Sequence, residues 1–177
     1  NAFNQLGQKD AALKSYVKVL AIKPDYPEVH NNLGIVLKDL GQLDAAIKSC
    51  EQALAIKPDY ADAHYNLGST LELLGQLDEA LASYERAIDL KPDINFILGV
   101  LLHTKMHLCI WDDLENHLNE LTNKINNSDK VIVPFALIAL IDDPEIQKKT
   151  AEIYVNEKHP QSHVLSKLER YPKHTKI

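Results

Sequence analysis

One period governs this chain: residues recur 34 positions apart through its first two thirds. Pro24, Pro58 and Pro92 each follow a lysine (Lys23, Lys57, Lys91). Gly7, Gly41 and Gly75 each precede a glutamine. Asp10, Asp44, Asp78 and Asp112 hold one register, and Ala12, Ala46 and Ala80 hold another. Self-similarity at a fixed spacing of this length marks a repeat architecture, in which a unit too small to bury its own apolar face stacks on its neighbours. A closed single-core domain is thereby excluded for the repeating part.

Each copy reads as two helices. The first, Pro27–Leu40, carries Leu33, Gly34 and Leu37 at helical spacing. Gly41 is expected to end it as a left-handed C-cap glycine. Asp44 is expected to cap the second helix with its carboxylate. That helix carries Ala46, Ile47, Cys50, Ala53 and Leu54 on its apolar face and stops before Pro58. Gly34, Gly68, Ala46 and Ala80 allow close backbone approach. Tyr16, Cys50 and Tyr84 are then expected to fill the space between successive hairpins, with Cys50 a buried thiol.

With these residues in "NNLGIVLKDLGQLDAAIKSCEQALAIKPDY" and "YNLGSTLELLGQLDEALASYERAIDLKPD", the chain resembles the tetratricopeptide repeat family. The resemblance implies an all-α fold: a right-handed superhelix of antiparallel helical hairpins whose first helices line a concave groove. Residues 1–6 match the last turns of such a first helix, so the chain reads as part of a longer protein. The array is expected over residues 1–126, with the fourth copy (95–126) degenerate. On a strict period Leu102 replaces Gly68, Leu114 replaces Ala80 and Cys109 takes the C-cap position. A three-residue slip would instead set Leu98-Gly99 on Leu67-Gly68. Either register leaves residues 94–102 apolar all round, which requires cover on both faces.

Residues 127–177 form a different segment. A polar break leads into "VIVPFALIALI", then a helix with Asp143 at the N-cap, Pro144 at its first position and an apolar stripe of Ile146, Thr150, Ile153 and Tyr154. We expect residues 128–158 to pack on residues 94–102 and on Trp111. Residues 161–177 carry few apolar side chains, are broken by Pro172, and are expected to be mobile or ordered only by docking on the array or a neighbouring molecule.

Lys105, Met106, Cys109, Trp111 and Asp112 in "LLHTKMHLCIWDDLENHLNELTNKI", with the following "PFALIALIDDPEIQKKTAEIYVNEKHP" and "YPKHTKI", resemble the junction of O-linked N-acetylglucosamine transferases and their Spindly-type relatives. There a repeat array passes into a glycosyltransferase body. The resemblance implies a UDP-sugar-dependent parent, with its catalytic residues and sugar-nucleotide site downstream of residue 177. No catalytic residue, cofactor or metal is expected in this chain. A stand-alone adaptor is the competing reading.

The strongest binding candidates are Asn32 and Asn66, 34 apart on first helices. A primary amide has both donor and acceptor and can hold a peptide backbone irrespective of sequence. The resembled transferases carry such an asparagine ladder. The alternative is that these amides solvate the groove or bond a neighbouring helix. Flanking groove candidates are Glu28, Asn31, Ile35 and Lys38, then Asp62, Tyr65, Ser69 and Glu72. A clamp for a terminal carboxylate would need Lys where Asn31 or Tyr65 stands, so that partner class is disfavoured. His103 and His107 have zinc-compatible spacing but lack a third ligand, as do His159 and His163. His30 and His64 read as structural.

Composition sets the remaining bounds. The formal charge is 19 − 25 = −6, which opposes nucleic-acid binding. The longest apolar run, residues 131–141, is interrupted by Pro134 and is too short to cross a bilayer. Cys50 and Cys109 make no disulfide framework. The expected setting is cytoplasmic, with protein or peptide clients, no nucleic acid or membrane partner, and self-association through the repeats as a further expectation.

Overall fold

A computed structural model describes residues 2–158 of the chain, and side chains from residue 7. The described residues form nine helices: α1 (Ala2–Ile22), α2 (Pro27–Asp39), α3 (Leu43–Ile56), α4 (Ala61–Leu73), α5 (Leu77–Leu90), α6 (Ile97–His107), α7 (Leu114–Asn126), α8 (Pro134–Ile138) and α9 (Pro144–Lys158). The architecture is all-α. Residues 161–177, and with them the expectation of mobility and the pair His159 and His163, lie outside the described residues.

Two regular hairpins, α2/α3 and α4/α5, make the centre of the array. Gly41 and Gly75 end their first helices with φ of 75° and 76°, a conformation glycine adopts without a side-chain penalty. The following amide then reaches back: Gln42 N–H donates to the Leu37 carbonyl, and Gln76 N–H to that of Leu71. Cys109 takes the same role after α6 with φ of 56°. There Ile110 N–H reaches the Lys105 carbonyl, so the turn survives without its glycine.

Three expectations are corrected here. Gly7 does not terminate a helix, because α1 runs through it from Ala2 to Ile22. Asp44 is not the N-cap: Gln42 holds that position without a side-chain bond, and Asp44 sits in the first turn, where its charge favours the helix dipole. Cys50 and Tyr84 fill the gap inside each hairpin, and only Tyr84 also shares a buried cluster with a neighbouring unit, through Leu101 of α6. A Cβ on Gly34 would meet Cys50 Sγ at 2.7 Å, and one on Gly68 would meet Tyr84 Cε1 at 2.8 Å. Large residue and missing side chain thus interlock within α2/α3 and α4/α5. Between units, Leu13, Tyr16 and Leu20 of α1 pack on Leu33 and Leu37.

The fourth copy departs from the period in a definite way. Gly99, not Leu102, makes the close approach, and its partner is Ile132 in the extended stretch before α8. Gly99 N–H donates to the Val131 carbonyl at 2.8 Å, and Phe96 N–H donates to that of Lys130. Two otherwise orphaned amides at the start of α6 are satisfied by backbone rather than by a capping side chain. Beneath lies one core of Leu98, Leu102, Leu121, Ile125, Val131, Ile132, Ala136 and Leu137, with Ile146 and Ile153 of α9 against it. Each fully buried side chain here contributes about 1.5–3 kcal/mol. The expected packing of 128–158 on α6 is therefore present.

Trp111 takes no part in it. Its side chain is 51% exposed, because residues 110–113 form the α6–α7 turn and hold it outside the core; the expected anchor role is corrected. Asp143 does cap α9, accepting from the amides of Glu145 (2.9 Å) and Ile146 (3.2 Å). Thr150 is buried, and Tyr154 meets Phe96 edge to face at 6.0 Å.

Candidate functional site

A concave groove of about 580 Å³ lies across the first helices, lined by Asn31, Asn32, Ile35, Tyr60, Asp62, Tyr65, Asn66, Lys91, Asp93, Ile94 and Asn95. It follows from the repeat register: positions one 34-residue step apart face the same side. Six of the ten sequence candidates line it. Asn32 is exposed on α2, and Asn66 is half-buried on α4. Neither amide is turned into the inter-helix core.

The two asparagines are not equivalent. Asn66 Nδ2 donates to Asn31 Oδ1 at 2.9 Å, and Asn31 is only 4% exposed. The Asn31–Asn66 pair thus ties α2 to α4 across the groove floor. Among the described residues Asn66 keeps a carbonyl and one N–H for another partner, whereas Asn32 keeps its whole amide. Tyr60, before α4, stands next to this pair. Burial raises its hydroxyl pKa, Asp62 and Glu28 add to the rise, and a hydrogen bond with Asn31 opposes it.

Four candidates fall outside the groove lining. Lys38 Nζ donates to Ser69 Oγ at 2.9 Å, a second tie between α2 and α4. Glu72 accepts from the Tyr84 hydroxyl at 2.8 Å and lies 3.4 Å from His103 Nδ1. It thereby links α4 to α5 and α6. Burial and the Glu72 carboxylate both push the Tyr84 hydroxyl upward, so it stays protonated as the donor. Glu28 is exposed in the first turn of α2. Sequence reasoning missed Tyr60 and the loop Lys91–Asn95. The period holds the signal for two of them, since Tyr26, Tyr60 and Ile94 are 34 apart just before successive first helices.

The histidine pair His103 and His107 stacks with ring centroids 4.4 Å apart. Among the described residues no group of three or more metal-ligating side chains comes together. His30 and His64 bond the Pro24 and Pro58 carbonyls at 2.8 and 3.0 Å, closing the loops before α2 and α4 as structural residues. Among the described residues no helix is long and apolar enough to cross a membrane.

Helical hairpins with this interlock and groove define a class of interaction modules. Models of the tetratricopeptide repeat match residues 25–93 and 1–41. Over these residues the chain is a tetratricopeptide-repeat array, a protein-interaction module. No curated protein matches it. Among solved structures, the first tetratricopeptide domain of human RPAP3 is 26% identical with a TM-score of 0.57, covering 62% of this chain and 86% of that one. The first tetratricopeptide domain of Spaghetti (RPAP3), bound to an HSP90 peptide, matches with the same identity, coverage and TM-score. A mutant O-GlcNAc transferase of Thermobaculum terrenum is 29% identical with a TM-score of 0.54, over 58% of this chain and 20% of the transferase. MamA shares the fold at 23% identity and a TM-score of 0.62, over 88% of this chain and 94% of its own.

Proposed function

We propose that the groove across α2 and α4 holds an extended client peptide by its backbone, and that the chain is the client-recruiting segment of a protein O-GlcNAc-type glycosyltransferase. The observation that carries the first half is Asn32: an exposed amide with both hydrogen-bonding functions free, next to Asn66 with part of its capacity free. Ile35, Asp62 and Tyr65 flank them, and Glu28, Lys38, Ser69 and Glu72 form the surrounding scaffold. The second half rests on Lys105, Met106, Cys109, Trp111 and Asp112, and on the 29% identity with a transferase of which this chain spans a fifth. On this reading residues 1–126 recruit and residues 127–177 lead toward a catalytic body. The chain itself carries no catalytic residue and works in the cytoplasm without a cofactor.

An amide that reads backbone is indifferent to side chains. Replacing Asn32 with Ala should therefore weaken a panel of unrelated extended peptides by a similar factor. A loss confined to one sequence would contradict backbone recognition. The parent activity is tested by the coding sequence after Ile177: a glycosyltransferase body supports it, an unrelated domain refutes it. A stand-alone adaptor is the second reading, favoured by the core of α6–α9, which covers the apolar end of the array as a self-contained unit would.

A further inference from the structure

The groove changes character at its far end. Val100 stands 34 residues after Asn66 and His103 34 after Ser69, so on α6 the amide gives way to an aliphatic side chain and the hydroxyl to an imidazole that is turned toward Glu72. There a cleft of about 240 Å³ opens between α6 and α8, lined by Phe96, Val100, His103, Val133, Phe135 and Ala136. Whole small-molecule pockets occupy about 300–1,000 Å³; this one suits a single large side chain. Phe135 is 86% exposed at its rim. An exposed aromatic beside an apolar recess is the pattern of an anchor site in peptide recognition.

Charge selects the occupant. Glu28 and Asp93 are exposed and have no ion-pair partner among the described residues, while Asp62 and Glu72 add two further carboxylates. Of the side chains lining the groove, Lys91 lies 3.7 Å from Asp62 and leaves Asp93 unpaired among the described residues, while Glu28 and Glu72 border it against Lys38, whose bond to the Ser69 hydroxyl leaves its charge in place. The path along the groove is therefore acidic and its end apolar. We infer that the chain selects an extended basic peptide carrying one large apolar side chain, which enters the cleft between Val100 and Phe135. This inference rests on the proposed groove.

The register follows from geometry. Neighbouring helices lie about 8–10 Å apart, and an extended peptide advances about 3.3 Å per residue, so each helix step takes about three residues. From α2 to α4 is one such step, and α6, which meets α4 through Glu72 and His103, lies at least one step further. The anchor should thus lie about six residues or more from the peptide unit opposite Asn32.

The test uses the full chain, isotope-labelled for amide resonances, and three synthetic nonapeptides. One has Phe at one end and two arginines within, the second replaces Phe by Ala, and the third replaces both arginines by Glu. The first should bind at least tenfold tighter than the second, shift Gly99, Val100 and Ala136, and lose that advantage in Phe135→Ala. The third should bind more weakly than the first, by a margin that shrinks as salt rises. Equal binding of the first two, with shifts at Asn32 and Asn66 only, overturns the cleft and leaves the groove. Tighter binding of the acidic peptide overturns the charge assignment. No shift at Asn32 or Asn66 with any peptide overturns the groove itself, and the cleft with it.

Discussion

Gly99 lies so close to Ile132 that a Cβ on the glycine would stand 2.6 Å from Cγ1 and 2.8 Å from Cα. The second distance matters more, because a backbone atom cannot swing aside as a side-chain tip can. Moving Ile132 would also stretch the bond from Gly99 N–H to the Val131 carbonyl. Gly99→Ala should destabilise the chain by about 2–3 kcal/mol, at the upper end of overpacking costs. Urea denaturation measures it. A loss under 0.5 kcal/mol would mean that the 130–133 stretch is not seated on α6.

Gly34 and Cys50 offer a cycle rather than a single change. A methyl at residue 34 meets a thiol at 2.7 Å and the Ala46 carbonyl at 3.3 Å. Gly34→Ala alone should cost about 1–3 kcal/mol. In a Cys50→Ala background the same change should cost at least 1 kcal/mol less, because the new methyl occupies the space the sulfur left. Additive losses would show that the Ala46 carbonyl, not the thiol, sets the limit.

Cys109 has a left-handed backbone, φ 56°, in the position where Gly41 and Gly75 stand in earlier copies. A residue with a Cβ pays about 1–2 kcal/mol for this conformation. The cysteine is exposed, so no packing is lost on replacement. Cys109→Gly should raise stability by about 0.5–1 kcal/mol, partly offset by the greater freedom of glycine in the unfolded chain. A thermal melt is sufficient to detect it.

What the sequence made legible was periodic. Gly41, Gly75 and the glycine substitute Cys109 fall on one register, and turn chemistry is local enough to be read from it. Asn32 and Asn66 were found in the same way. Three things depended on contacts between distant segments and could not be read. Asn31 looked like one groove residue among several, but it is buried as the acceptor for Asn66. Trp111 looked like an anchor by residue type, yet the turn around it points it outward. Gly99 was legible as a small residue out of register; that Ile132 fills its place required the fold of residues 127–133.

Cys50 gives the last prediction. Its thiol is fully buried in the α2/α3 hairpin, and burial pushes its pKa up from 9.0 to about 11, with Lys38 lowering and Glu51 raising it to lesser degrees. Only a thiolate attacks disulfide reagents, so exposed Cys109 should react with a thiol-exchange reagent at pH 8 while Cys50 stays silent until the chain unfolds. The same shift fixes the sign of a pH dependence. The folded state holds the proton more tightly than the unfolded state, so the unfolded state sheds it first as pH rises. The stabilisation is complete below pH 9 and lost between pH 9 and about 11, by about 2 kcal/mol at the upper end. The comparison is with Cys50→Ala, which keeps every other titratable group. The variant starts less stable because of its cavity, but its stability should fall less steeply above pH 9. Parallel curves for the two proteins would mean that Cys50 meets water in the folded chain and that the α2/α3 interlock is looser than its geometry.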